Sequence, residues 1–136
     1  MISMKVETTT LKQKVIIPAT PEEVYEAFVD PKKHAAFTGS KATGKAKVGG
    51  KFTAWDGYIY GKFLQFEPGK CLVQEMQMTD WPEGSQPSRF ELTFKKVPEG
   101  TEITMVHSNI PAAQKEDLAE GWEDFYWKPL KKYFQK

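Results

Sequence analysis

The chain has 136 residues, of which 40% are hydrophobic and 27% charged, and its length predicts one domain with a core of its own. With 19 basic and 18 acidic residues the formal net charge is +1, which leaves no overall field to draw in nucleic acid or an anionic membrane. A single cysteine, Cys71, excludes an internal disulfide and a cysteine-rich zinc site, and no run is long and apolar enough to span a bilayer.

Residues 1–14 are polar and lack the apolar core of a signal peptide, so a cytoplasmic location is expected. Residues 1–9 are expected to fray. Residues 12–18 read as a first strand, because Val15, Ile16 and Ile17 are β-branched and Pro18 ends the run. Thr20-Pro21-Glu22-Glu23 is a helix start with a cap, a proline at the first helical position and a capping-box glutamate. The helix covers residues 21–29 and stops at Asp30-Pro31; a second short helix covers residues 31–37.

From Thr43 the period changes to two. Residues 52–55 and 58–66 are strands joined at Asp56-Gly57, a pair that suits a two-residue type I′ hairpin. Glu67-Pro68-Gly69-Lys70 carries a type II turn signal, and residues 71–78 form the next strand. A longer loop, residues 79–87, contains Trp81-Pro82-Glu83-Gly84. Residues 88–97 alternate cleanly, with Phe90, Leu92 and Phe94 on one face. The last strand, residues 101–108, puts Ile103, Met105 and His107 on one face.

Residues 117–135 form the long terminal helix. Leu118, Trp122, Phe125, Tyr126, Pro129, Leu130 and Tyr133 fall on one helical stripe. Burying that stripe is worth about 10 kcal/mol as an upper figure. Pro129 should remove one hydrogen bond and bend the helix. Gly121 either marks close packing or, with Pro129, lets the helix arch over a hollow. The element order predicts an α+β domain spanning residues 1–136. A curved antiparallel sheet of about six to seven strands wraps the terminal helix, with two short helices after the first strand.

Gly49-Gly50-Lys51-Phe52, Trp55-Asp56-Gly57, Trp81-Pro82-Glu83-Gly84, Ile110-Pro111 and Gly121-Trp122 through Tyr126-Trp127 to Phe134 occur in that order and spacing. Together they resemble the activator of Hsp90 ATPase family, within the START and Bet v 1-like helix-grip superfamily, over residues 10–136. The resemblance implies a helix-grip fold. It also implies one of two roles: a domain that contacts an Hsp90-type chaperone, or a relative with a pocket for a hydrophobic ligand.

For the ligand role the expected pocket residues are Phe52, Tyr60, Phe90, Phe94, Met105, His107, Trp122 and Tyr126. His107 is either a hydrogen-bonded core residue or the polar group that orients a ligand. For the chaperone role the expected partner surface is the basic edge Lys45, Lys47 and Lys51 with Trp81. Trp81 is either a lid folded on the core or an exposed anchor. His34 is expected to be exposed. No metal site, cofactor or catalytic residue is expected: the histidines and Cys71 are scattered, and no glycine-rich phosphate loop is present. Cys71 with His107 is the one nucleophile and base pair that the sequence offers to a cyclase- or dehydratase-like enzyme. The leading expectation is a non-enzymatic binding protein acting with a chaperone or in stress response. The alternative is a carrier or sensor of a small hydrophobic ligand.

Overall fold

The computed structural model describes residues 6–135. The first strand, β1 (Thr8–Ile17), starts earlier than its β-branched core suggests, because the terminal strand β7 (Gly100–Pro111) is long enough to pair with it from Thr8 opposite Pro111 to Ile17 opposite Thr101. Thr8 and Thr9 are thus in the sheet rather than frayed; residues 1–5 of that expectation lie outside the described residues. Helices α1 (Pro21–Val29) and α2 (Pro31–Thr38) follow. Local chemistry fixes the start of α1. Thr20 Oγ1 accepts from the Glu23 amide at 3.2 Å, and Glu23 Oε1 accepts from the Thr20 amide at 3.1 Å.

Strands β2 (Thr43–Gly44), β3 (Lys51–Ala54), β4 (Ile59–Glu67), β5 (Cys71–Met78) and β6 (Ser88–Val97) complete one seven-stranded antiparallel sheet in the order β1-β7-β6-β5-β4-β3-β2. The β3–β4 connection has four residues, not two. The Tyr58 amide donates to the Trp55 carbonyl around Asp56-Gly57, both at positive φ, but Trp55 itself also sits at φ 54°. A left-handed aromatic residue costs on the order of 1–3 kcal/mol. Its ring is held against the terminal helix, edge to face with Phe125 at 5.5 Å.

That helix departs from the simple periodic reading. It runs as a 3₁₀ turn (Ala112–Gln114), α3 (Lys115–Trp122), a wide π turn (Glu123–Trp127) and α4 (Lys128–Phe134). The Lys128 amide reaches back five residues to the Glu123 carbonyl. Pro129 explains the widening. Its ring would meet the Phe125 carbonyl in an α-helix, and one extra residue in the turn relieves the clash without ending the helix. The insertion shifts the buried stripe by one position. Leu118, Trp122, Tyr126, Trp127 and Leu130 are buried, while Phe125 is 57% exposed and Tyr133 is 43% exposed. Phe125 and Tyr133 were expected inside; Trp127 takes the place that α periodicity assigns to Phe125.

The buried stripe lies on the inner face of the sheet. Trp122 stacks on Phe90 at 4.8 Å. Tyr126 stacks on Phe28 of α1 at 6.0 Å, so α1 and α2 close one end of the layer. Gln13 of β1 ties the π turn down. Its Nε2 donates to the Ala119 carbonyl at 3.1 Å, and its Oε1 accepts from Trp127 Nε1 at 2.7 Å.

Candidate functional site

The space between helix and sheet is filled by these rings. Phe52, Phe90, Trp122 and Tyr126 come together around a void of only about 20 Å³. That is room for little more than one water, far below the hundreds of Å³ that a metabolite needs. Phe94, Met105 and His107 are buried but do not line it. Tyr60 is 41% exposed. It shares its side of β4 with Lys62, while Ile59 and Phe63 point inward, so it is an outer-face residue and not part of a pocket.

Both histidines are buried and engaged. Ser88 Oγ donates to the Met76 carbonyl at 2.7 Å, so it accepts from His107 Nε2 at 2.7 Å. That leaves His107 Nδ1 to accept from Trp122 Nε1 at 3.4 Å. The network assigns the Nε2–H tautomer. In this state His107 cannot take the Ser88 proton, and burial lowers its pKa to about 3. His34, expected on the surface, is 9% exposed. Its Nδ1 donates to the Phe28 carbonyl at 3.1 Å, and its Nε2 accepts from the Tyr126 hydroxyl at 2.9 Å. Burial lowers its pKa, against a smaller opposing effect of the Phe28 bond. Burial also raises the Tyr126 phenol, so neither group is ionised near neutrality. The two histidines hold two buried aromatic rings of the terminal helix, Trp122 and Tyr126, in place.

Cys71 and His107 are not brought together. Cys71 stands opposite Thr93 of β6, and Thr93 stands opposite Thr104 of β7, a full strand and three residues away from His107. Among the described residues no three histidine, cysteine, aspartate or glutamate side chains are grouped to hold a metal ion, and no helix is long and apolar enough to cross a membrane.

Lys45, Lys47 and Lys51 are all exposed beside the short edge strand β2. Trp81 is not available as an exposed anchor: it is 8% exposed, with its ring 6.3 Å from that of His107. Its Nε1–H is buried without an acceptor among the described residues. Trp81→Phe, which removes that orphaned donor while keeping most of the apolar ring, is therefore expected to change stability by less than about 1 kcal/mol. A denaturant titration showing a loss of several kcal/mol would mean that the N–H is satisfied.

A larger concavity opens at one end of the layer, between α3 and the π turn on one side and Ile59 of β4, Met78 of β5 and the β3–β4 connection on the other, and of the expected pocket residues Trp122 and Tyr126 line it. It measures about 400 Å³. Met78, Ile59, Leu118 and Trp122 form its floor, Trp55 and Phe125 stand at its side, and Tyr58, Asp80 and Asp117 are at its rim. The Tyr58 hydroxyl donates to Asp80 Oδ1 at 2.7 Å. Burial, that hydrogen bond and the charges of Asp80 and Asp117 push the phenol up to about 12. Gly121 faces the groove from the helix. A Cβ built there meets nothing within 4 Å, so tight packing does not account for a helix glycine that costs about 1 kcal/mol against alanine. The sequence singles out Gly121 and the Trp55 turn but does not bring them together, because only the π turn carries Phe125 across to Trp55.

Comparison with known proteins agrees with this architecture. A model of the family described as activator of Hsp90 ATPase homolog 1-like protein matches residues 18–135. The chain belongs to that family. Human activator of 90 kDa heat shock protein ATPase homolog 1 is 33% identical over 133 residues, which are 98% of this chain and 39% of the human protein. The Dictyostelium discoideum activator homologue is 33% identical over 120 residues, 88% of this chain and 31% of its own length. This member of the activator family thus spans well under half the length of those relatives. Among solved structures, an Hsp90 activator from Plasmodium falciparum superposes with a TM-score of 0.76 at 25% identity, covering 88% of this chain and 90% of that one. An Aha1 dimer from Colwellia psychrerythraea shares the fold, with a TM-score of 0.75 at 18% identity over 90% of this chain and 96% of that one. The helix-grip fold of the activator family is the one seen here: a seven-stranded antiparallel sheet, two short helices after the first strand, and a long terminal helix against its inner face.

Proposed function

We propose that this chain is a non-enzymatic cofactor of an Hsp90-type chaperone, serving chaperone work or the stress response in the cytoplasm. The observation that carries the reading is the match to the Plasmodium falciparum Hsp90 activator, whose solved chain this domain covers to 90% at a TM-score of 0.76. The engaged, neutral state of both histidines and the separation of Cys71 from His107 support a binding role over catalysis. The exposed edge bearing Lys45, Lys47 and Lys51 is the surface we assign to an acidic segment of the chaperone.

The test is calorimetric binding and the ATPase rate of the host's Hsp90-type chaperone, with and without the chain. Micromolar binding and faster turnover are expected. A triple charge reversal, Lys45→Glu with Lys47→Glu and Lys51→Glu, should weaken binding by at least about tenfold, since like charges facing each other across an interface cost several kcal/mol. No binding at micromolar concentration would remove the reading. For the alternative, a carrier or sensor of a small hydrophobic ligand, the rings leave only about 20 Å³ at the centre of the layer.

A further inference from the structure

Three local irregularities surround the larger groove. Gly121 leaves open space on the helix face where any other residue would project a side chain. The π turn carries Phe125 out of the buried stripe and across to Trp55. Trp55 holds a left-handed backbone conformation that an aromatic residue seldom adopts. Pro129 accounts for the π turn, and the packing of the Trp55 ring on Phe125 and Tyr126 holds its backbone, but packing does not account for Gly121. What the three share is the groove: its depth, its wall and its aromatic face. A helix glycine that keeps a concavity open, with a π turn and a left-handed tryptophan at its wall, points to binding there.

The chemistry of the lining selects the occupant. The floor is apolar, and the volume of about 400 Å³ suits a small molecule. Trp55 and Phe125 offer ring faces and edges above it. Asp80 and Asp117 stand at the rim, and among the described residues neither is in an ion pair with a lysine or arginine. No cationic side chain lines the groove. An anionic ligand would meet two carboxylates with no compensating charge. A cation would meet those carboxylates and the electron-rich faces of the rings.

We propose that this groove is a binding site for a small molecule with an apolar body and one cationic ammonium head, the body lying on Met78, Leu118 and Trp122 and the head between Asp80, Asp117 and Trp55. The site is separate from the basic edge and does not depend on the chaperone reading.

Phenylbutylamine, phenylbutanol and phenylbutyrate test it, since they carry one apolar body with a positive, neutral or negative head at neutral pH. Binding is read from the indole N–H resonances of the four tryptophans. The amine is expected to move Trp55 and Trp122, to leave Trp81 and Trp127 in place, and to bind about tenfold more tightly than the alcohol, with the acid weakest. Gly121→Leu, which fills the groove from a position with free space, should abolish the shifts while the Trp81 and Trp127 resonances stay where they are. Asp117→Lys, at an exposed position, should reverse the order of amine and acid, and it decides the matter should Gly121→Leu fold poorly. Equal binding of the three probes, no shift with millimolar amine, or undiminished binding to Gly121→Leu would overturn the proposal. None of these outcomes bears on chaperone binding, which is measured without the probes.

Discussion

Trp127→Ala is expected to lose about 3–5 kcal/mol of stability, the usual range for emptying a buried tryptophan site. The ring is almost fully buried, packs against Phe28 at 6.3 Å and lies at 28° to the Trp122 ring at the same separation. Removing it leaves a large cavity at the π turn. It also strands the Oε1 of Gln13, whose amide still has to hold the Ala119 carbonyl. Trp127→Phe separates the two effects. It keeps most of the apolar area and loses the hydrogen bond, so it should cost about 1–2 kcal/mol. Since small domains have only about 5–15 kcal/mol in hand, the alanine variant should lose a large part of its total stability. Urea titrations would settle both values. A loss below about 1 kcal/mol for Trp127→Ala would mean that the π turn does not pin the helix to β1.

Acid is expected to unfold the protein through its two histidines. Both folded-state pKa values lie below the ordinary value of 6.5, so on acidification the unfolded chain takes up protons first. Their stabilising contribution is therefore complete above pH 6.5 and is lost as the pH falls, for His107 until about pH 3. Within that window each proton held back costs about 1.4 kcal/mol per pH unit. The mechanism is specific. His107 is enclosed by Ser88, Phe90, Trp81 and Trp122, none of them charged, so nothing nearby compensates an imidazolium. Protonation would turn His107 Nδ1 into a donor facing the donor Nε1–H of Trp122, and His34 Nε2 into a donor facing the Tyr126 hydroxyl. The measurement is the urea midpoint at neutral pH and at about pH 4.5, repeated with His107→Gln, which cannot titrate. The variant should start less stable and show a shallower dependence on pH. The same slope in both proteins would refute the assignment.

How much of this was legible in the chain depends on the range of the interaction. The capping box at Thr20 and the α1 boundaries follow from four consecutive residues, and the structure has them as read. The inward faces of β6 and β7 follow from alternation, with Phe90, Leu92, Phe94, Ile103, Met105 and His107 all buried. The terminal helix was legible as an element but not in its phase. A stripe counted at α periodicity buries Phe125 and exposes Trp127; the structure reverses this because the Pro129 ring displaces the turn before it. The proline was the available signal, but it foretold a bend where the chain inserts a residue. Tyr60 is a conflict between aromatic character and strand parity with Lys62, and parity prevailed. His34 was beyond reach for a different reason. Its burial depends on the Tyr126 hydroxyl, ninety-two residues away, and no local pattern announces that pair. The groove was hidden in the same way, since Gly121, Phe125, Trp55 and Asp80 meet only after the sheet has curved round the helix.

Strand β1 lies at one edge of the sheet and precedes the other described strands, yet its sheet neighbour among the described residues is β7, with Thr8 facing Pro111 and Ile17 facing Thr101. The ladder between them closes the segment from Ile17 to Thr101 into a loop, and Gln13 has no tryptophan to receive until Trp127 is made. Contacts so distant along the sequence slow folding, because chain entropy is surrendered before the pairing returns it. During synthesis the β1 segment must therefore wait, without its partner strand, until β7 has been made.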